Sequence, residues 1–207
     1  MIVIVDYGMG NVGSIANMLR KVGAAATISA DPTVVAGARK LILPGVGAFD
    51  RGMTNLAERG LIPLLRRKVL EEGTPVLGVC LGMQLLTQRS EEGQCAGLGW
   101  LDAETVRFRL EDAGPASTLK VPHMGWNTVR LCRPHPTLAG LETGSRFYFV
   151  HSYYVACHDP ALVVAETDHG GAFTSVVAKG SILGVQFHPE KSHRFGMQLY
   201  RNFSERG

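Results

Sequence analysis

Thr74–Gln84 reads TPVLGVCLGMQ, a short apolar run that stops at a cysteine with a glycine two residues to either side. Val76, Leu77, Gly78 and Val79 have the length and unbroken apolar character of a buried parallel strand, and the breakers Gly73 and Pro75 mark its start. Leu81–Arg89 reads as a helix. A strand that passes straight into a helix turns sharply, so the residue at the apex points outward while its neighbours at i−2 and i+2 come together. Gly78 and Gly82 supply that room, a nucleophile-elbow pattern with Cys80 where serine is usually described. Cys80 would then stand at a helix N-terminus, whose partial positive charge favours the thiolate, the attacking form. The free N–H of Leu81 would face the oxygen that turns negative in acyl transfer.

A lone cysteine in an apolar run is ordinarily a small buried hydrophobe. Ser181–Lys191, SILGVQFHPEK, argues otherwise. There a second apolar run, Ile182–Phe187, delivers His188 at its end, and Pro189 keeps His188 out of the helical region. In extended backbone residues i and i+2 share a face, so Glu190 can take one imidazole N–H while the other nitrogen meets Cys80. Nucleophile, base and orienting carboxylate complete a triad.

The 207 residues suffice for one domain with a sizeable core, and one domain over 1–207 is expected. Hydrophobic content of 45% against 19% charged residues is that of a folded chain and excludes disorder. The net charge of +3 is mild, and its one basic cluster, Arg66–Arg67–Lys68, lies in a helical stretch where a solvated face explains it. No basic stripe interleaved with aromatics points to nucleic acid. Cys80, Cys95, Cys132 and Cys157 have no CxxC spacing and build no metal site with the seven histidines, so neither metal nor cofactor is expected. Scattered cysteines fit a reduced, cytoplasmic protein. The five apolar residues before Asp6 are too few for a signal-peptide core, and no stretch approaches a membrane span.

Taken in order, Met1–Val5 reads as a strand, Asn11–Val22 as a helix, Ala25–Ser29 and Lys40–Leu43 as strands, and Met53–Arg59 and Ile62–Glu72 as helices before the elbow. Strand and helix in alternation make a parallel sheet covered on both faces. Past Gly93 short strand-like runs follow: Ala103–Leu110, Thr128–Leu131, Arg146–Val150, Tyr153–Ala156, Leu162–Thr167, Phe173–Ala178 and Ile182–Phe187. The second half is therefore mixed, with antiparallel pairs before a last helix at Phe195–Phe203. Gly8–Gly13 matches the G-x-G-x-x-G phosphate fingerprint with Asp31 at ribose-binding distance, a nucleotide-binding reading opposed by the nearby carboxylate of Asp6. Pro44–Phe49, PGVGAF, is a loop whose glycines flank Val46 and free its peptides to aim or withdraw an N–H. Trp126, in a stretch broken by Pro122 and Gly125, is a core candidate, and His151 alone reads as a satisfied structural histidine.

Together the G-x-C-x-G elbow, the downstream His188-Pro189-Glu190 and the PGVG loop resemble the class I, triad-type glutamine amidotransferases. Over nearly its whole length the chain is similar to the glutaminase subunits of imidazole glycerol phosphate synthases, on DYGMGN (6–11), PHMGWN (122–127), FYFVHSY (147–153) and GVQFHPEKS (184–192) as well. That resemblance implies a flavodoxin-like, mostly parallel α/β sheet flanked by helices, with additional antiparallel strands in the second half. It implies Cys80, His188 and Glu190 as catalytic residues, an oxyanion hole from Leu81 and Gly47 beside Val46, and Gln84, Ser152 and Tyr153 as binders of glutamine. It also implies a partner, the (β/α)8-barrel cyclase subunit, met by Asn11, Trp126, Tyr148 and Lys191, and a place in histidine biosynthesis. The pair Val12-Gly13, where a bulkier residue is expected, departs slightly from the pattern. A glutaminase subunit of another amidotransferase is the alternative within the class.

Overall fold

The computed structural model describes residues 1–110, 119–142 and 144–206. The strands are β1 (Ile2–Val5), β2 (Ala26–Ser29), β3 (Lys40–Leu43), β4 (Val76–Val79), β5 (Ala103–Arg107), β6 (His123–Leu131), β7 (Ser145–His151), β8 (Tyr153–Cys157), β9 (Val163–Asp168), β10 (Ala172–Lys179) and β11 (Ile182–Val185). The helices are α1 (Val12–Lys21), α2 (Pro32–Ala36), α3 (Phe49–Glu58), α4 (Leu61–Arg66, carried on by a wider turn over Arg67–Glu71), α5 (Leu81–Gln84) and α6 (His193–Arg206).

Strand order is β2-β1-β3-β4-β11-β10-β9-β6-β7, with β8 branching from β10 to pair with β5. The first five strands of that order are parallel throughout, the 2-1-3-4-5 arrangement of a flavodoxin-like sheet with β11 in fifth place. From β10 outward every pairing is antiparallel, as the change of texture past Gly93 predicts.

Alternation explains why the parallel strands are apolar on both faces. Ile2, Ile4, Ile42, Leu77 and Val79 join one core with Ile15 and Leu19 of α1 and Leu199, Tyr200 and Phe203 of α6. Val3, Val5, Leu41, Leu43 and Val76 join the other with Val35, Phe49, Leu56 and Leu61 from α2, α3 and α4. Each strand end is thereby held between two packed layers.

Four expectations need correction. The helix expected over Leu81–Arg89 lasts one turn, because the backbone beyond it pairs elsewhere: Gln88 N donates to Ala103 O and Trp100 N to Leu86 O. Pro122–Asn127 is not an irregular stretch; β6 begins at His123 and pairs with β7 from His123↔His151 to Val129↔Ser145. Trp126 is not core, being 39% exposed on β6 beside Met124 at 62%. α2 was not anticipated, and α3 starts earlier than the expected Met53, with Phe49 N donating to the Glu92 carboxylate at 2.8 Å.

Candidate active site

The two chemistry-bearing stretches of the sequence end side by side. β4 and β11 are parallel neighbours with Val79 opposite Val185, and Cys80 N extends the ladder by donating to Val185 O at 2.8 Å. Gln186 follows β11 directly, and its Nε2 donates to Cys80 Sγ at 3.6 Å. His188, two residues further, is fixed by its own N–H to Tyr148 O at 2.9 Å and by Ser192 Oγ, which donates to His188 O at 2.6 Å.

Cys80 turns the chain with φ 53° and ψ −110°, a region that side chains with a Cβ rarely occupy. The glycines around it are required by contact. A Cβ on Gly78 would lie 2.8 Å from Gly82 O, and one on Gly82 would lie 1.9 Å from Leu43 O. α5 therefore starts directly beneath the end of β3, which brings the Pro44–Ala48 loop over Leu81 and Gly82. Gly47 has φ +121°, and Val46 is about half exposed at the rim.

His188 Nδ1 donates to Glu190 Oε1 at 2.8 Å, and both side chains are 1% exposed. Nε2 makes no geometric hydrogen bond. Burial alone would lower the proton affinity of this imidazole; the nearby Cys80 sulfur and the Glu190 carboxylate outweigh burial and push its pKa up to about 10. The arrangement keeps the imidazole protonated, a proton held ready for a leaving group.

A cavity of about 350 Å³ opens over this pair, and Cys80, Leu81, Gln84, His188, Val46, Gly47, Ser152 and Tyr153 all line it. Every catalytic, oxyanion and substrate candidate from the sequence except Glu190 therefore shares one chamber, and Glu190 stands behind His188. The Gln84 amide donates to Tyr153 O at 3.0 Å and to Gln186 Oε1 at 3.1 Å, which leaves its oxygen to meet a ligand. Glu92, Pro122, Val150 and His151 line the cavity as well and were not expected there. Gln186, which bonds both the sulfur and Gln84, was also missed. Gln186 was within reach of the alternation rule, since it shares the face of His188 one strand away from Cys80.

Three of the expected interface residues meet one another. Trp126 stacks on His193 with 5.4 Å between ring centroids and meets Tyr148 edge-on at 6.3 Å, and Lys191 lies over the Tyr148 ring at 5.5 Å. Asn11 caps α1 by accepting from Ser14 N. The Gly8–Gly13 stretch does not form a phosphate cradle. Gly8 N donates to Asp6 Oδ1, a Cβ on Gly10 would lie 2.9 Å from Gly45 N, and Asp31 is spent capping α2 through Thr33 N. An anion there would meet the Asp6 carboxylate instead of free N–H groups.

Many hydrolases set a cysteine, a histidine and a carboxylate at strand ends, so the class is decided by kinship. The family model described as glutamine amidotransferase class-I matches residues 3–206. Imidazole glycerol phosphate synthase subunit HisH 2 of Methanococcus maripaludis is 56% identical over 203 residues, covering 98% of each chain, and the protein of the same description from Pseudomonas aeruginosa is 52% identical over 99% of each. The chain belongs to this HisH family of class-I glutamine amidotransferases. Among solved structures, a GMP synthase protein of Thermoplasma acidophilum (TM-score 0.72, 19% identity, 98% and 91% of the two chains) and PurLQS of Thermotoga maritima (0.71, 18%, 98% and 96%) share the fold. No described helix is long and apolar enough to cross a membrane.

Proposed function

We propose that the chain is the glutaminase subunit of an imidazole glycerol phosphate synthase in the cytoplasm, working in a heterodimer with a (β/α)8-barrel cyclase. The observation that carries this reading is the pairing of β4 with β11, which sets Cys80 and His188 on one chamber. Cys80 thiolate attacks the side-chain carbonyl of glutamine, and the N–H groups of Leu81 and Gly47 hold the oxyanion once the peptide at Val46 turns to aim the second of them. His188 protonates the departing ammonia as the C–N bond breaks. Water, deprotonated by His188, then cleaves the thioester to glutamate while Glu190 keeps the ring in its tautomer. Gln84, Ser152 and Tyr153 hold the substrate.

Ammonia freed into water would be protonated and lose its nucleophilicity. A closed path to the cyclase is therefore a chemical need, and the glutaminase should stay nearly idle until the loaded partner docks. The test is glutamate release from glutamine, measured with the cyclase and its nucleotide ligand present. Release that depends on both supports the proposal; none, with the complex formed, overturns it.

Trp126, Tyr148 and Lys191 form the proposed docking patch together with Asn11. Trp126→Ala is expected to weaken partner binding by about 2 kcal/mol, the size of an interface anchor. Exposed on β6, with its ring against His193 and Tyr148, it should barely alter the melting temperature of the isolated glutaminase. Calorimetric titration and a thermal melt check the two halves, and a large drop in melting temperature would contradict the assignment.

A further inference from the structure

Beneath the chamber lies a line of hydrogen bonds that the proposed chemistry does not use. Asn127 on β6 has its amide pinned at both ends: Oδ1 accepts from Thr128 N at 2.8 Å, and Nδ2 donates to Asp168 O at 2.8 Å. The same Nδ2 meets His123 Nε2 at 3.1 Å. His123 Nδ1 lies 3.0 Å from His151 Nε2, and His151 Nδ1 lies 2.7 Å from Tyr153 O. A carbonyl only accepts, so His151 carries its proton on Nδ1 and offers a bare Nε2. His123 must then donate from its own Nδ1, and its bare Nε2 faces the Asn127 amide. One direction satisfies every atom. A proton added to either ring would set N–H against N–H. Both rings are packed among Phe108, Phe149 and Phe173, and burial holds His123 at about 4 and His151 at about 3.

The line does not end at the carbonyl. Tyr153 O also accepts from Gln84, which bonds Gln186, which bonds Cys80 Sγ. Only Ser152 separates β7 from β8 at this point, so the His151 ring braces the bend that presents Ser152 and Tyr153 to the cavity.

We infer that His123 and His151 are positioning residues for glutamine: an uncharged, unidirectional histidine pair that fixes the Ser152–Tyr153 bend and joins it to the strand bearing Trp126. The inference rests on the glutaminase reading, and two measurements separate their fates. The first is histidine ring nitrogen NMR of the wild-type chain at neutral pH, which should find both rings neutral with the proton on Nδ1. A charged ring, or a proton on Nε2 of either, overturns the inference whatever the enzyme does.

The second uses the complex with the cyclase. His123→Phe keeps the ring packing and loses both nitrogens, and it should raise KM for glutamine by about tenfold or more, the cost of a small misplacement, with a smaller change in kcat. His123→Gln retains a donor and an acceptor and should recover most of that loss at a similar melting temperature. An unchanged KM in His123→Phe, or equal KM changes in both variants that track stability, overturns the inference. A wild-type complex that makes no glutamate condemns the glutaminase reading instead and leaves the ring-nitrogen spectrum to decide on the pair.

Discussion

Cys80→Ala, assayed in the complex with the cyclase, should lower glutamate formation by about 10⁴-fold or more, as loss of a nucleophile does in hydrolases of this logic. The chamber offers no substitute, since the atoms facing the sulfur are the amide of Gln186 and the ring of His188, neither of which can form the thioester. Synthesis by the partner from externally supplied ammonia should continue, because alanine keeps the Cβ at this position and the Cys80 N–H still bonds Val185 O. Residual glutamate formation within tenfold of wild type would mean that the sulfur is a packing atom and that the catalytic assignment fails.

The second large effect is expected at Gly82→Ala. Its Cβ would stand 1.9 Å from Leu43 O and 2.8 Å from Leu43 C, and the opposing Gly45 is also tight, with its own Cβ position 2.5 Å from Gly82 N. Two backbones touch here with no side chain to yield. The loop must lift or α5 must shift, at a cost of about 3 kcal/mol, the upper range for an overpacked site. In a chain of this size that lowers the melting temperature by roughly 6–12 °C. Whatever fraction still folds should hydrolyse glutamine poorly, because the displaced segment is the one that carries Gly47. A melting temperature within about 2 °C of wild type would show that the contact relaxes freely and that the loop is not held against the elbow.

The elements that could be read from the sequence are those whose reasons are local. β3 and β4 match their expected bounds because each is an unbroken apolar run between breakers. The triad candidates were legible because two such runs each deliver one reactive residue at the end. What escaped depends on partners remote in the chain. Leu85–Arg89 has helical composition, but the carbonyls of residues 85–88 accept from residues 97–101 and Gln88 N donates to Ala103 O. The exposed row of Met124 and Trp126 was hidden by Gly125, which breaks the apolar pattern without breaking the strand. The histidine pair exists only because β6 and β7 are in register at His123 and His151, and nothing within either stretch fixes that register.

The order of the sheet carries a biological corollary. The strand that brings the base is the last of the described strands in the chain, yet it sits in the middle, zipped against one that ends about a hundred residues earlier. A ribosome-bound or prematurely ended chain thus has its thiol but no imidazole beside it, and cannot squander glutamine. Turnover by this protein is in that sense a certificate that synthesis passed Glu190 and that the strand leading to His188 found its slot.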